Sequence, residues 1–225
     1  MIAENLKSVT QRIARRCEKS GRNPEDVTLI CVTKEASADQ AGGVLGSGAR
    51  DLGENRVQEL AAKHKVLGDK AVWHLVGHLQ TNKVRDAVKI ASLIHSVDSV
   101  KLASQIDKEA EKINKVQDIL IQVNTSGETT KFGVSPDDIF DLLKEVVLYH
   151  NINIKGLMTI APEVDDPEQA RPFFRKLKEL LGRINAIRNT RYAVLSMGMT
   201  GDFEIAIEEG STMVRIGRAI FGDRI

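Results

Sequence analysis

Apolar residues Ile2, Leu6, Val9, Ile13 and Cys17 recur every three or four positions at the start of the chain, the spacing of one helical face. Gly21 and Pro24 end that pattern, so residues 1–22 read as an added N-terminal helix. Beyond it, short apolar runs alternate with longer stretches whose apolar positions fall at helical intervals. The runs lie at 27–33, 49–53, 72–77, 92–97, 117–123, 152–158, 193–197 and 212–216 and read as strands. Helical patterns fill roughly 37–46, 56–67, 80–90, 99–114, 136–149, 167–189 and 202–209. Ser135 reads as an N-cap with Pro136 as the first helical residue, and Asp166-Pro167-Glu168 opens another helix in the same way.

Strand–helix alternation implies parallel pairing, because each crossover returns the chain to the same edge. Eight such units most simply close into an α/β fold, a single (β/α)8 TIM barrel spanning residues 1–225 with an extra N-terminal helix. An open doubly wound sheet is the alternative. The stretch after the first run, Val32-Thr33-Lys34-Glu35-Ala36-Ser37, carries no glycine for a dinucleotide-binding turn.

Composition narrows the function classes. Lys and Arg number 32 against 31 Asp and Glu, so no basic footprint for nucleic acid stands out. Aromatic residues make up 4% of the 225-residue chain, too few for a base-stacking surface. Cys17 and Cys31 show neither metal nor redox spacing. No apolar stretch approaches the length of a membrane span, and the N-terminus lacks the apolar core of a signal peptide. A cytoplasmic protein without membrane or nucleic-acid partners is expected, with a monomer as the simplest state.

In such barrels the chemistry sits where strands meet their following loops, at the carboxyl end. Lys34 follows the first strand. An amine placed there and partly buried loses its proton more easily, and the neutral amine is the nucleophile that makes Schiff bases. After the seventh and eighth strands come Ser196-Met197-Gly198-Met199-Thr200-Gly201 and Arg215-Ile216-Gly217-Arg218. Hydroxyls and glycines there suit a phosphate cup, with residues 218–221 as a short helix beside it. Strands one and eight adjoin in a closed barrel, which brings the cup within roughly a nanometre of Lys34, given a strand spacing of about 4.8 Å. Pyridoxal phosphate carries an aldehyde on one side of its ring and a phosphate on the other.

Longer blocks of the sequence then resemble a known family. Val32-Thr33-Lys34, Gly53-Glu54-Asn55-Arg56-Val57-Gln58-Glu59, Trp73-His74-Leu75-Val76-Gly77-His78-Leu79-Gln80 and His95-Ser96-Val97-Asp98 are similar to its signatures. So are Gly156-Leu157-Met158, Leu195-Ser196-Met197-Gly198-Met199, and Gly210 through Gly217 closed by Ile220-Phe221-Gly222. The family is that of the pyridoxal phosphate homeostasis proteins. The resemblance runs from about residue 27 to the C-terminus.

The resemblance implies the barrel of the alanine racemase N-terminal domain, the fold type III barrel of pyridoxal phosphate proteins, without its C-terminal β domain. It implies pyridoxal 5'-phosphate held as a Schiff base on Lys34, in a protein of vitamin B6 and amino-acid or keto-acid balance without catalytic turnover. Apo-enzymes that use the cofactor are the implied recipients. Cofactor contacts are expected from Lys34, Asn55, Met158, Ser196, Gly198, Thr200, Arg215 and Gly217. Arg215, a charged residue in an apolar strand, calls for an anionic or polar partner, either the phosphate or the ring nitrogen. Asn55 suits the ring hydroxyl or the cap of the next helix, His78 the ring or a plain loop, and Glu54 an ion pair better than a base. Arg218 stands where many relatives carry a small Thr or Ser, and either adds a cation at the phosphate or points to solvent. The polar loop 124–133 is expected to gate cofactor exchange, with Lys131 as a second amine.

The alternative is a small racemase-like enzyme. Racemases of this fold complete their site with a second domain that supplies an opposing base such as Tyr. Here nine residues follow the eighth strand, and Tyr149 and Tyr192 fall away from the expected mouth.

Overall fold

A computed structural model describes residues 1–222. Eight parallel strands close into a barrel in chain order: β1 (Thr28–Val32), β2 (Asp51–Glu54), β3 (Val72–Leu75), β4 (Leu93–Val97), β5 (Gln117–Gln122), β6 (Ile152–Met158), β7 (Val194–Ser196) and β8 (Met213–Ile216). Closure is made by β1 against β8, from Thr28↔Met213 to Cys31↔Ile216. Seven strand positions thus follow the apolar runs closely, and β2 begins two residues nearer the mouth than its run.

The helices between them are α2 (Ala38–Gly46), α3 (Val57–Leu67), α4 (Val84–Ile90), α5 (Val100–Glu111), α6 (Ile139–Val146), α7 (Arg171–Arg188) and α8 (Phe203–Glu208). Their starts are set by local chemistry. Ser37 and Gln40 form a reciprocal capping box at α2, and Ser99 caps α5. Ser135 does not cap α6 as expected. Its hydroxyl is taken up by Asp138, accepting from the Asp138 N–H at 3.1 Å and donating to its carboxylate at 2.7 Å. Asp138 then takes the cap position, and the helix begins at Ile139. The turn at Asp166-Pro167 is a single 3-10 turn, Pro167–Ala170, that leads into α7.

The added helix α1 (Ile2–Lys19) buries Leu6, Val9, Ile13 and Cys17. It packs against α2, α8 and the short α9 (Arg218–Phe221), and so fills the outer-ring place beside β8 and β1. Arg12 pairs with Glu204 at 3.1 Å, and the Asn5 amide donates to the Ile220 carbonyl at 3.0 Å.

Successive side chains on a strand point to opposite faces. Outward residues such as Leu52, Trp73, Leu75, Ile119 and Leu157 join the helices in the main core. Each large side chain buried there contributes about 1.5–3 kcal/mol. Inward residues Leu93, Leu120 and Met158, with Val194 and Met213, form a second, smaller apolar cluster. Beside Ile30 and Val32 of β1, the lumen also holds polar side chains, among them Asp51, His74, His95, Ser196 and Arg215, that lead toward the mouth.

Candidate functional site

A cavity of about 750 Å³ opens at the carboxyl ends of the strands. Lys34, Asn55, Thr200, Arg215 and Gly217 line it, with His78, Lys131 and Arg218. Met158, Ser196 and Gly198 stand behind the wall instead. Met158 is fully buried in the lumen cluster, and the other two support residues that do face the cavity.

Lys34 leaves β1 on a braced turn. The Thr33 N–H donates to the Gly53 carbonyl at 2.9 Å, and the Ala36 N–H returns to the Thr33 carbonyl at 2.9 Å. Glu35 adopts φ +62°, unusual for a residue with a side chain, and its N–H donates to the Glu59 carboxylate at 2.9 Å. Behind this turn Lys63, almost fully buried, donates to the Thr33 carbonyl and pairs with Glu54 at 2.5 Å. Glu54 is therefore an ion-pair partner, as expected, and burial raises its pKa although Lys63 and Thr33 oppose that shift. The Lys34 side chain itself is exposed, contrary to the partial burial expected. The turn projects it past the strand end into the mouth.

Arg215, by contrast, is buried in the lumen. One guanidinium nitrogen donates to Ser196 Oγ at 2.6 Å and another to the Thr159 carbonyl at 2.9 Å. Burial lowers its pKa to about 10, with the Asp202 carboxylate acting the other way, so it stays a cation at neutral pH. Ser196 Oγ also meets His95 Nδ1 at 2.9 Å. The hydroxyl expected at a phosphate is thus committed between Arg215 and a histidine.

The loops after β7 and β8 form the neighbouring wall. Gly198 has φ +95°, and a Cβ there would lie 2.6 Å from the Ala206 Cβ. Only glycine lets the loop turn this tightly against α8. The Met199 N–H donates to the Asp202 carboxylate at 2.6 Å, which leaves Thr200 and Gly201 on the cavity side. Asp202 is buried, and that burial raises its pKa. After β8 the chain passes Gly217 into α9, the short helix expected at 218–221. Asn55 does not cap α3, whose N-cap is Arg56. Gly77 makes room for it, since a Cβ at Gly77 would come within 2.3 Å of the Asn55 carbonyl oxygen.

The rim carries Phe132, which sequence reasoning did not single out. It stacks on His78 with ring centroids 3.9 Å apart and planes 14° apart, so His78 does face the cavity. Lys131 pairs with Glu128 at 2.8 Å, which holds the Glu128 carboxyl below its ordinary range. Arg218 is exposed and stands 4.0 Å from Glu163. Residues 160–164, after β6, complete the wall. Tyr149 and Tyr192 are not among its lining residues.

The alanine racemase N-terminal domain family matches residues 4–225. A pyridoxal phosphate homeostasis protein of Aquifex aeolicus is 44% identical over 222 residues, 98% of this chain and 97% of that protein. The chain belongs to the pyridoxal phosphate homeostasis protein family. PipY of Synechococcus elongatus, a structure with pyridoxal phosphate bound, matches at TM-score 0.86 and 33% identity, covering 99% of this chain and all 100% of that one. Alanine racemase of Clostridium difficile shares the fold alone, at TM-score 0.73 and 16% identity. The match covers 98% of this chain but 57% of the racemase. No helix among the described residues is long and apolar enough to cross a membrane.

Proposed function

We propose that this protein holds pyridoxal 5'-phosphate in the mouth of its barrel and serves cofactor homeostasis rather than turnover. One observation carries the reading: an exposed amine, Lys34, and a buried permanent cation, Arg215, line the same cavity as the glycine-bearing loops after β7 and β8. The cofactor has matching parts, an aldehyde for the amine and anionic or acceptor groups for the rest. Lys34 would form a Schiff base with loss of water. Thr200 and the backbone at Gly201 and Gly217 would take the phosphate, and Arg215 the phosphate or the ring nitrogen. Asn55 and the stacked His78 flank the ring side. The PipY structure with pyridoxal phosphate bound supports this cofactor.

A carrier role is favoured over a racemase by the one-sided cavity. No tyrosine lines it, and the racemase match stops at 57% of that chain. An open site also admits water, which suits loading and release better than carbanion chemistry. Apo-enzymes that use pyridoxal phosphate are the proposed recipients, with Lys131 on loop 124–133 as a second amine during exchange. A cytoplasmic monomer completes the reading. Cys17 and Cys31, both free and buried, are compatible with a reducing compartment.

The test is the visible absorption spectrum before and after borohydride. Wild type should show a yellow chromophore that reduction bleaches and locks to the protein, and Lys34→Ala should not. A wild type that stays colourless with added pyridoxal phosphate would remove the cofactor from the reading. Sustained amino-acid racemisation, lost in Lys34→Ala, would replace the carrier with an enzyme.

A further inference from the structure

The lumen below the cavity holds an unbroken file of polar side chains. Arg215 donates to Ser196 Oγ at 2.6 Å; Ser196 Oγ lies 2.9 Å from His95 Nδ1; His95 Nε2 lies 3.0 Å from His74 Nδ1; His74 Nε2 lies 2.9 Å from Asp51 Oδ1. Asp51 is the first residue of β2, on the floor of the barrel, and its side chain keeps 24% exposure. Both histidines and Ser196 are buried. The file therefore runs from the floor to the wall of the cofactor cavity through a region where such barrels ordinarily pack branched apolar side chains.

Its ends dictate its direction. A guanidinium only donates and a carboxylate only accepts. Ser196 Oγ accepts a hydrogen bond from Arg215, so its own hydrogen points to His95 Nδ1. His95 then donates from Nε2 to His74 Nδ1, and His74 donates from Nε2 to Asp51. The Ser196 hydroxyl and each ring nitrogen in the file are then matched once, with both rings neutral. The reverse sense needs a proton on both nitrogens of His74, and leaves the Ser196 hydroxyl hydrogen without a place in the file. Burial, followed by the neighbouring His74 and Arg215, drives the His95 pKa well below its ordinary range, in agreement with a neutral ring.

We propose that Asp51, His74 and His95 are positioning residues for Arg215: the floor carboxylate fixes one tautomer in each ring, and the file so ordered holds the guanidinium toward the cofactor. Two of its donors go to Ser196 and Thr159, and the remaining N–H groups are then presented to the cavity. The residues act through Arg215 and touch no ligand themselves.

The inference rests on the cofactor reading, but its first measurement does not. Long-range proton–nitrogen correlation spectra of the imidazoles report tautomers with or without pyridoxal phosphate. Both His74 and His95 should show the tautomer with the proton on Nε2. A proton on Nδ1 of either ring would overturn the proposal while leaving the Lys34 chemistry intact. The second measurement is retention of pyridoxal phosphate by absorbance in wild type, Asp51→Ala, Arg215→Lys and the double variant. Asp51→Ala should weaken retention about tenfold in the wild-type background and less than about twofold beside Arg215→Lys, since coupled residues are non-additive. Equal losses in both backgrounds would mean that Asp51 acts on stability alone.

Discussion

Two buried polar assemblies lie on opposite faces of the barrel wall, and they handle charge in opposite ways. Outside the sheet, Lys63 and Glu54 meet directly at 2.5 Å. Inside it, the cation Arg215 and the anion Asp51 are separated by a hydroxyl and two imidazoles. A contact pair offsets its desolvation locally and matters mainly to the turn it braces, here the one that carries Lys34. A spaced pair keeps a cation available to something else, because no single partner saturates it. The first arrangement suits support of a loop, and the second suits presentation of a charge to a ligand.

Splitting the contact pair should have the largest effect. Lys63→Met strands the Glu54 carboxylate, whose Oε2 already has no hydrogen-bond partner among the described residues. A loss of about 3–5 kcal/mol in urea unfolding is expected, as for other half-broken buried pairs. Replacing Glu54 as well, by Leu, should recover most of it. A smaller loss, about 1–3 kcal/mol, is expected for Ser196→Ala, which leaves His95 Nδ1 without its donor and Arg215 with one partner fewer. A negligible change there would mean that the lumen file carries no weight. The mildest test is acid titration of stability. The depressed His95 pKa means that the unfolded chain takes up a proton below about pH 6.5 that the fold refuses. Stability is therefore fully present above that pH and falls below it, by up to about 1.4 kcal/mol per pH unit. The raised Glu54 pKa works the other way, since its contribution is present at low pH and is lost as the pH rises through the folded value. His95→Gln should flatten the acid limb, and Glu54→Gln should steepen it.

Much of this architecture is legible in the sequence. The eight apolar runs map onto eight strands because each strand is buried on both faces and so reads as a continuous run. Lys34 and Arg215 stand out because a charge at the end of, or within, such a run has few innocuous explanations. Facing is harder to read. Ser196 and Thr200 look alike in the sequence, yet one lies under the cavity wall and the other on it. A three-residue β7 gives too short a pattern to assign inward and outward positions. His74 and His95 do carry a signal, as polar residues inside apolar runs at the same inward parity. Recognising it requires the register His74↔Leu93, which puts His95 one inward step along β4, diagonally within reach of His74. Phe132 is hidden for another reason, since a lone aromatic in a polar loop has no periodicity to place it.

β7 and β8 share one register pair, Ser196↔Met213. Side chains supplement the backbone there: the Leu195 N–H donates to Thr212 Oγ1 at 2.9 Å, and Ser211 Oγ donates to the Met197 carbonyl at 2.7 Å. The bond from Arg215 to Ser196 crosses the same join, and a molecule touching Thr200 and Gly217 together would span it from above. Such a molecule acts as a clasp on the edge of the cylinder with the fewest register pairs. Occupancy then becomes visible far from the mouth, as slower amide exchange on both strands and a melting temperature that climbs with ligand concentration.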